Sequence, residues 1–201
     1  MMDQKVNIPD FITHYHLPDK APFLNLSDLS DEARKPVLED LEQRRLAGKM
    51  KRYFPDWYFP QRQEAERNLW QACVDKGGKP QRKAPHYFAL GRSKGIEMGY
   101  NNDFKTVQLP ITALGAAVLF SIGDTLWTFS KSYTDQVTWK NEWYHGKLYH
   151  YDEVSEIMHQ LDLDVENPES LKKHKVPCVE ALIWSDEVLN DALQAAGLDA
   201  I

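Results

Sequence analysis

Cysteines and long apolar runs are scarce in this chain, and each shortage argues against a class of protein. Cys73 and Cys178 are the only cysteines in 201 residues, so no disulfide framework is expected and both thiols are expected to be reduced. The longest apolar run, residues 111–122, is too short to span a bilayer. Residues 1–10 lack the profile of a secretory signal. We therefore expect a cytoplasmic protein without a membrane partner.

Several motifs that bind phosphate or carry out catalysis are also missing. The sequence contains no G-x-x-x-x-G-K-[ST] loop, no G-x-G-x-x-G fingerprint, no G-x-S-x-G elbow and no H-E-x-x-H helix. These absences argue against P-loop nucleotidases, Rossmann dehydrogenases, elbow-type serine hydrolases and zinc proteases.

Positive charge is present but clustered. The net charge of −6 argues against a protein that coats nucleic acid along its whole surface. Arg44 and Arg52 bound one basic run, and Lys76 and Lys83 bound a second. Such runs usually form a solvated helix face, and the alternative is a local patch for nucleic acid or another acidic partner.

Hydrophobic periodicity predicts one α+β domain over residues 1–201, with residues 1–9 flexible. Mostly antiparallel strands are expected between a helical N-terminal insertion and C-terminal helices. Helices are predicted at about 31–47, 60–76, 152–161 and 186–196, and a shorter one is predicted to begin at Asn167-Pro168. Strands are predicted at 11–16, 86–90, 106–109, 117–122, 125–130, 136–139, 147–151 and 176–184.

The first candidate for chemistry is the pair His14 and His16. Alternate residues of a strand point to the same face, so both imidazoles would project together. This arrangement suits two metal ligands, or one catalytic and one supporting histidine. The alternative is a pair of partly buried histidines that bond to backbone carbonyls. A metal site would need further ligands, and His86, His145, His150 and His174 are available.

Two further candidates lie in later strands. In the second predicted strand, Tyr87 leads through Gly91 to Arg92 and Ser93, and the Arg92 guanidinium could hold a phosphate or carboxylate. The alternative is a core strand whose following arginine is solvated. Glu180 interrupts the apolar strand Val-Glu-Ala-Leu-Ile; it is either a buried catalytic carboxylate or, on the opposite face, a solvated one.

These segments bear a family resemblance. The whole chain resembles a group of bacterial proteins of about this length. The strands around His14, Arg92-Ser93 and Glu180 resemble the ADP-ribosyltransferase superfamily, in particular its DNA-modifying toxin branch. In that branch an Asn-Leu segment, here Asn25-Leu26, lies nearer the histidine, and the glycine before the arginine is not usual.

The resemblance implies a cytoplasmic transferase that uses NAD as co-substrate in a cleft between small sheets. The implied catalytic residues are Glu180, Arg92 and His14, and Glu180 would stabilise the cation that forms as nicotinamide leaves. The residues implied in NAD binding are His16, Tyr15, Tyr87 and Ser93.

Two other functions remain open from the residues alone. One is a non-enzymatic binding module that uses an exposed aromatic loop from Trp139 to His145, through which a homodimer would form. The other is a metal-dependent enzyme that uses His14 and His16.

Overall fold

The structure is a computed structural model, and it describes residues 6–136 and 140–201. In these residues five strands form one sheet: β1 (Phe11–His16), β2 (His86–Leu90), β3 (Lys105–Pro110), β4 (Val118–Ile122) and β5 (Val179–Ile183). Their spatial order is β3-β1-β2-β5-β4, and every neighbouring pair is antiparallel. The last strand of the chain, β5, therefore lies inside the sheet between β2 and β4.

Eight helices accompany the sheet over the same residues: α1 (Asp31–Leu46), α2 (Tyr58–Asp75), α3 (Lys94–Gly99), α4 (Thr125–Phe129), α5 (Lys131–Gln136), α6 (Tyr151–Leu161), α7 (Pro168–His174) and α8 (Asp186–Ala195). The predicted α+β class with a mostly antiparallel sheet is confirmed. Among the described helices, none has the length and apolar character needed to cross a membrane.

Side-chain caps begin several helices at the residues that the sequence indicates. The Ser30 hydroxyl accepts a hydrogen bond from the third backbone N–H of α1, and Ser185 does the same for α8. Pro168 occupies the first turn of α7, where a backbone N–H would have no acceptor within the helix, so proline is tolerated there. Local capping chemistry thus sets these boundaries.

Two predicted strands are wrong, and a third lies mostly outside the described residues. Of residues 125–130, the first five form α4 because Asp124 caps the segment, accepting the Leu126 N–H at 2.8 Å, and Ser130 is the C-cap. Residues 147–151 contribute a single bridge, between Tyr149 and Phe120, before α6 begins. In the segment 136–139, Gln136 ends α5, and residues 137–139 lie outside the described part of the chain.

Helices cover both faces of the sheet. On the first face, α6, α7 and α8 pack their apolar side chains against Ile12, Phe88 and Ile183; we call this the α6–α8 face. On the second, α2 and α4 pack against Leu119 and Leu182; we call this the α2 face. Because successive residues of a strand alternate between faces, each strand side chain belongs to one of two separate environments.

Candidate functional site

Glu180 lies in the middle of β5, opposite Ala89 of β2 and Ser121 of β4. Directly paired residues of antiparallel strands share a face, so all three side chains lie on the α2 face. Val179 and Ala181 point the other way and are completely buried. Glu180 itself keeps partial contact with solvent. Both faces of β5 are therefore covered by other parts of the protein, and Glu180 is the one residue of this strand that remains partly exposed.

A buried ion pair from α2 packs over the same face. Arg62 Nε donates to Glu66 Oε1 at 3.2 Å, and the Arg62 guanidinium lies 4.1 Å from the centre of the Tyr87 ring. Glu66 Oε1 also accepts from the hydroxyls of Ser27, at 2.7 Å, and Tyr87, at 3.1 Å. A buried pair persists only where its polar atoms have partners. These bonds therefore hold α2, β2 and the Ser27 segment in one arrangement.

Thr125, the first residue of α4, connects this network to Glu180. Its hydroxyl accepts a bond from Arg62 Nη1 at 3.3 Å, and its backbone N–H donates to Glu180 Oε2 at 3.1 Å. Burial raises the pKa of Glu180 to about 7, and the nearby Asp124 carboxylate acts in the same direction. Arg62 and the Thr125 bond oppose this rise. A carboxyl group with a pKa near neutrality is suited to acid–base or electrostatic catalysis.

Asp124 lies close enough to Glu180 to interact with it electrostatically, and Glu180 remains partly accessible to solvent. We call the group formed by Arg62, Tyr87, Asp124, Thr125 and Glu180 the Glu180 cluster.

The structure does not bring the two histidines to Glu180. Thr13 pairs with Ala89, which lies on the α2 face, so His14 and His16 project from the α6–α8 face. Both ring nitrogens of His14 bond to the backbone: Nδ1 donates to the Tyr87 carbonyl at 2.9 Å, and Nε2 accepts the Phe23 N–H at 3.0 Å. His14 thus has no ring nitrogen left for a substrate or a metal.

His16 is also hydrogen-bonded to backbone groups. Its Nδ1 lies 3.0 Å from the Leu17 carbonyl oxygen and 2.9 Å from that of Lys20. The interpretation in which these histidines bond to carbonyls therefore describes the structure better than a paired metal site. Over the described residues, no group of three or more His, Cys, Asp or Glu side chains is placed to hold a metal ion.

Arg92 is engaged away from Glu180. Its Nε and Nη2 both donate to Glu97 Oε1, at 3.0 and 2.7 Å, and about half of the side chain is exposed. Ser93 caps α3, and its N–H donates to the Tyr15 hydroxyl at 2.8 Å. Of the residues implicated in NAD binding by resemblance, Tyr87 interacts electrostatically with Glu180, and Arg62 covers its ring.

Intramolecular ion pairs occupy much of the two basic runs. Arg44 pairs with Asp19 and Asp40, and Arg45 pairs with Glu42. In the second run, Lys76 pairs with Glu153, and Arg82 pairs with both Asp28 and Asp186. These pairs reduce the positive charge that either run could present to nucleic acid or an acidic partner.

The predicted exposed aromatic loop is exposed in part. Trp143 is 51% exposed, whereas Tyr144 and His145 are each about 5% exposed. Trp139 lies outside the described residues. Homodimer formation through this loop stays a prediction.

Sequence reasoning missed Arg62, Glu66, Asp124 and Thr125. A signal for two of them was present, because Arg62 and Glu66 fall on the same helical stripe as the buried Ala65 and Leu69. Charges on the core stripe of a helix indicate a buried pair or a site. No comparable pattern marks Asp124 and Thr125, which lie where α4 begins.

Comparison of the chain with protein-family models, with curated proteins and with solved structures found no match. Its function must be inferred from the residues themselves.

Proposed function

We propose that this chain is an NAD-dependent enzyme of the ADP-ribosyl-transfer type whose active site is the Glu180 cluster. The observation that carries the proposal is the Glu180 carboxyl group, which is held by the Thr125 N–H, is partly accessible to solvent and has a pKa raised to about 7. Functional carboxyl groups with perturbed pKa values concentrate at such positions.

The chemistry requires a carboxylate close to a developing positive charge. When the bond between ribose C1′ and the nicotinamide nitrogen breaks, the electron pair leaves with nicotinamide and C1′ becomes cationic. An ionised Glu180 stabilises this charge more than it stabilises the ground state, which lowers the barrier. The acceptor hydroxyl, amine or water then attacks C1′, and its proton passes to Glu180 or to solvent.

Arg62 and Thr125 act as positioning residues in this proposal. The Thr125 N–H fixes one carboxylate oxygen of Glu180, and Arg62 in turn holds the Thr125 hydroxyl. Because Glu66 and Tyr87 already occupy Arg62, the guanidinium keeps its orientation without a ligand. A carboxylate held in this way needs little reorganisation when the reaction occurs.

The site proposed here differs from the one that the resemblance implies. His14 and His16 lie on the opposite face of the sheet, and Arg92 is bonded to Glu97. The proposal keeps Glu180 as the catalytic carboxylate and leaves these three residues out of the active site.

The pH dependence of NAD cleavage tests this proposal. If ionised Glu180 is the active form, kcat/KM should rise about tenfold per pH unit below pH 7 and level off above it. Nicotinamide release from millimolar NAD, followed by chromatography, measures this profile. No release above background anywhere from about pH 6 to pH 8.5 would contradict the proposal.

A further inference from the structure

Asp124 and Glu180 are two carboxylates held side by side where α4 begins. The Thr125 N–H donates to Glu180 Oε2 at 3.1 Å, and the next backbone N–H, that of Leu126, donates to Asp124 Oδ1 at 2.8 Å. Because the two donors belong to successive residues of the chain, the carboxylates that they hold are close neighbours. The backbone at this point therefore fixes a pair of groups with like charge.

The sheet holds the same two residues together from the other side. Gly123 forms a parallel bridge with Val179, and its N–H donates to the Cys178 carbonyl at 3.0 Å. Asp124 directly follows Gly123, and Glu180 directly follows Val179. Gly123 has φ +100°, a conformation that suits glycine and lets the chain turn from β4 into α4. The distance between the two carboxylates is thus set by backbone contacts and not by flexible side chains alone.

The helix cap does not require the negative charge of Asp124. Asparagine caps helices as well as aspartate does. This chain shows it at α7, where Asn167 Oδ1 accepts the Glu169 N–H at 3.0 Å in the same pattern. A second carboxylate beside the partly exposed Glu180 is unfavourable, because like charges repel. Asp124 therefore carries a cost that asparagine would avoid, and local rules are broken in this way mainly at functional sites.

Other titratable groups border this pair, and they come from several elements. They are Arg52, Arg62, Glu66, Tyr87, Tyr133 and Cys178. Burial raises the pKa values of both tyrosines and of the cysteine, and arginine stays charged at all ordinary pH values. None of these cationic, phenolic or thiol groups changes its charge near pH 7. A titration near neutrality at this place therefore belongs to the carboxylates.

We propose that Asp124 is a positioning residue that makes Glu180 the group that takes the proton of the incoming hydroxyl or water. This inference rests on the proposed function. In this step the acceptor oxygen forms a bond to ribose C1′, which nicotinamide has left with its electron pair. The electrons of the O–H bond stay on the oxygen, and the proton passes to Glu180 Oε1, since the Thr125 N–H holds Oε2. The fixed charge of Asp124 makes Glu180 the stronger base.

The pH profile of Asp124→Asn tests the inference, because asparagine keeps the bond to the Leu126 N–H and removes only the charge. The midpoint of the kcat/KM profile for NAD hydrolysis should move down by about one pH unit or more, and the plateau above it should fall about threefold or more. Asp164→Asn is the matched control. Asp164 Oδ1 accepts the Glu166 N–H at 3.0 Å in the same kind of turn, between α6 and α7. This control should keep the wild-type profile.

The choice of acceptor separates a role in proton transfer from a role in folding. Azide attacks C1′ without losing a proton, so it needs no base. At about pH 8.5, Asp124→Asn should therefore form ADP-ribosyl azide from NAD about as fast as the wild type does, while its hydrolysis of NAD is slower. Chromatography of the two products measures both rates. A loss of the same size with azide and with water would overturn the inference.

Titration of the Glu180 carboxyl carbon by NMR is a measurement that does not depend on activity. In Asp124→Asn its midpoint should move down by about one pH unit or more. If it moves but the wild type does not cleave NAD, the carboxylate pair stands, and the reaction falls together with the proton transfer. If NAD is cleaved but neither the titration nor the pH profile moves in Asp124→Asn, the reaction stands and the inference falls.

Discussion

Replacing Glu180 by glutamine should stabilise the protein by about 3 kcal/mol near pH 8 while it slows NAD cleavage by about 100- to 1,000-fold. The pKa of Glu180 is about 7 in the folded protein and 4.5 in a model peptide. As pH rises from 4.5 through 7, the unfolded chain loses this proton before the folded chain does, so folding becomes less favourable. Glutamine removes that penalty, and it also removes the charge that the reaction needs.

Chemical denaturation at several pH values measures the stability effect, and nicotinamide release measures the activity. The difference in free energy of unfolding should be small near pH 5 and reach its full size near pH 8. A carboxylate with a purely structural role would instead give a variant of lower stability at every pH. An active Glu180→Gln enzyme, or one that is destabilised near pH 8, would contradict the assignment.

Glu66→Gln is the matched control for this experiment. Glu66 lies in the same network, but it is the direct partner of the buried Arg62 and accepts bonds from Ser27 and Tyr87. Removing its charge takes away the carboxylate that is hydrogen-bonded to the buried Arg62, so we expect a loss of stability of up to about 3–5 kcal/mol. If Glu180→Gln raises the free energy of unfolding and Glu66→Gln lowers it, Glu180 has a functional role and Glu66 a structural one.

The second large effect concerns His14, whose replacement by phenylalanine should cost about 2–5 kcal/mol of stability near pH 7.5. Phenylalanine can keep the ring contact with Phe23, whose centre lies 4.5 Å from that of His14. It cannot bond to the Phe23 N–H or to the Tyr87 carbonyl, so both backbone groups lose their partner. Equilibrium denaturation with the matched variant His16→Phe, expected to lose under about 1 kcal/mol, checks this.

The cost of His14→Phe should shrink in acid. Burial lowers the pKa of His14 to about 4, against 6.5 in a model peptide. As pH falls from 6.5 through 4, the unfolded chain takes up this proton before the folded chain does. The free energy of unfolding of the wild type therefore falls by about 3 kcal/mol, whereas the variant has no imidazole at this position and shows no such decrease. A cost that stays constant over this range, or a variant as stable as the wild type at pH 7.5, would show that His14 does not hold these groups together.

Much of the fold is predictable from the sequence because its determinants are local. Ser30, Ser185 and Asn167-Pro168 mark helix starts, and β1 occupies Phe11–His16 as the apolar pattern indicates. The segment 125–130 was mispredicted because its apolar and β-branched residues favour a strand. The Asp124 cap and packing of Leu126 and Phe129 against α2 outweigh that preference.

The candidate site is only partly predictable. Glu180 stands out as a carboxylate in an apolar strand, and Arg62 with Glu66 could have been found on the core stripe of α2. Asp124 and Thr125 have no such pattern, because their contact with Glu180 joins segments that lie far apart along the chain. Spacing arguments cannot detect a contact of this kind.

The sequence by itself determined the α+β class, several helix starts and the presence of an unusual carboxylate at Glu180, since these follow from period, capping and composition. Only the tertiary structure decided which polar residues meet. Strand register places His14 and Glu180 on opposite faces of one sheet, and a shift of register by one residue would have reversed the face of either. Register arises from pairing between distant segments, so the neighbours of Glu180 became known only once β2, β4 and α2 were assembled around it.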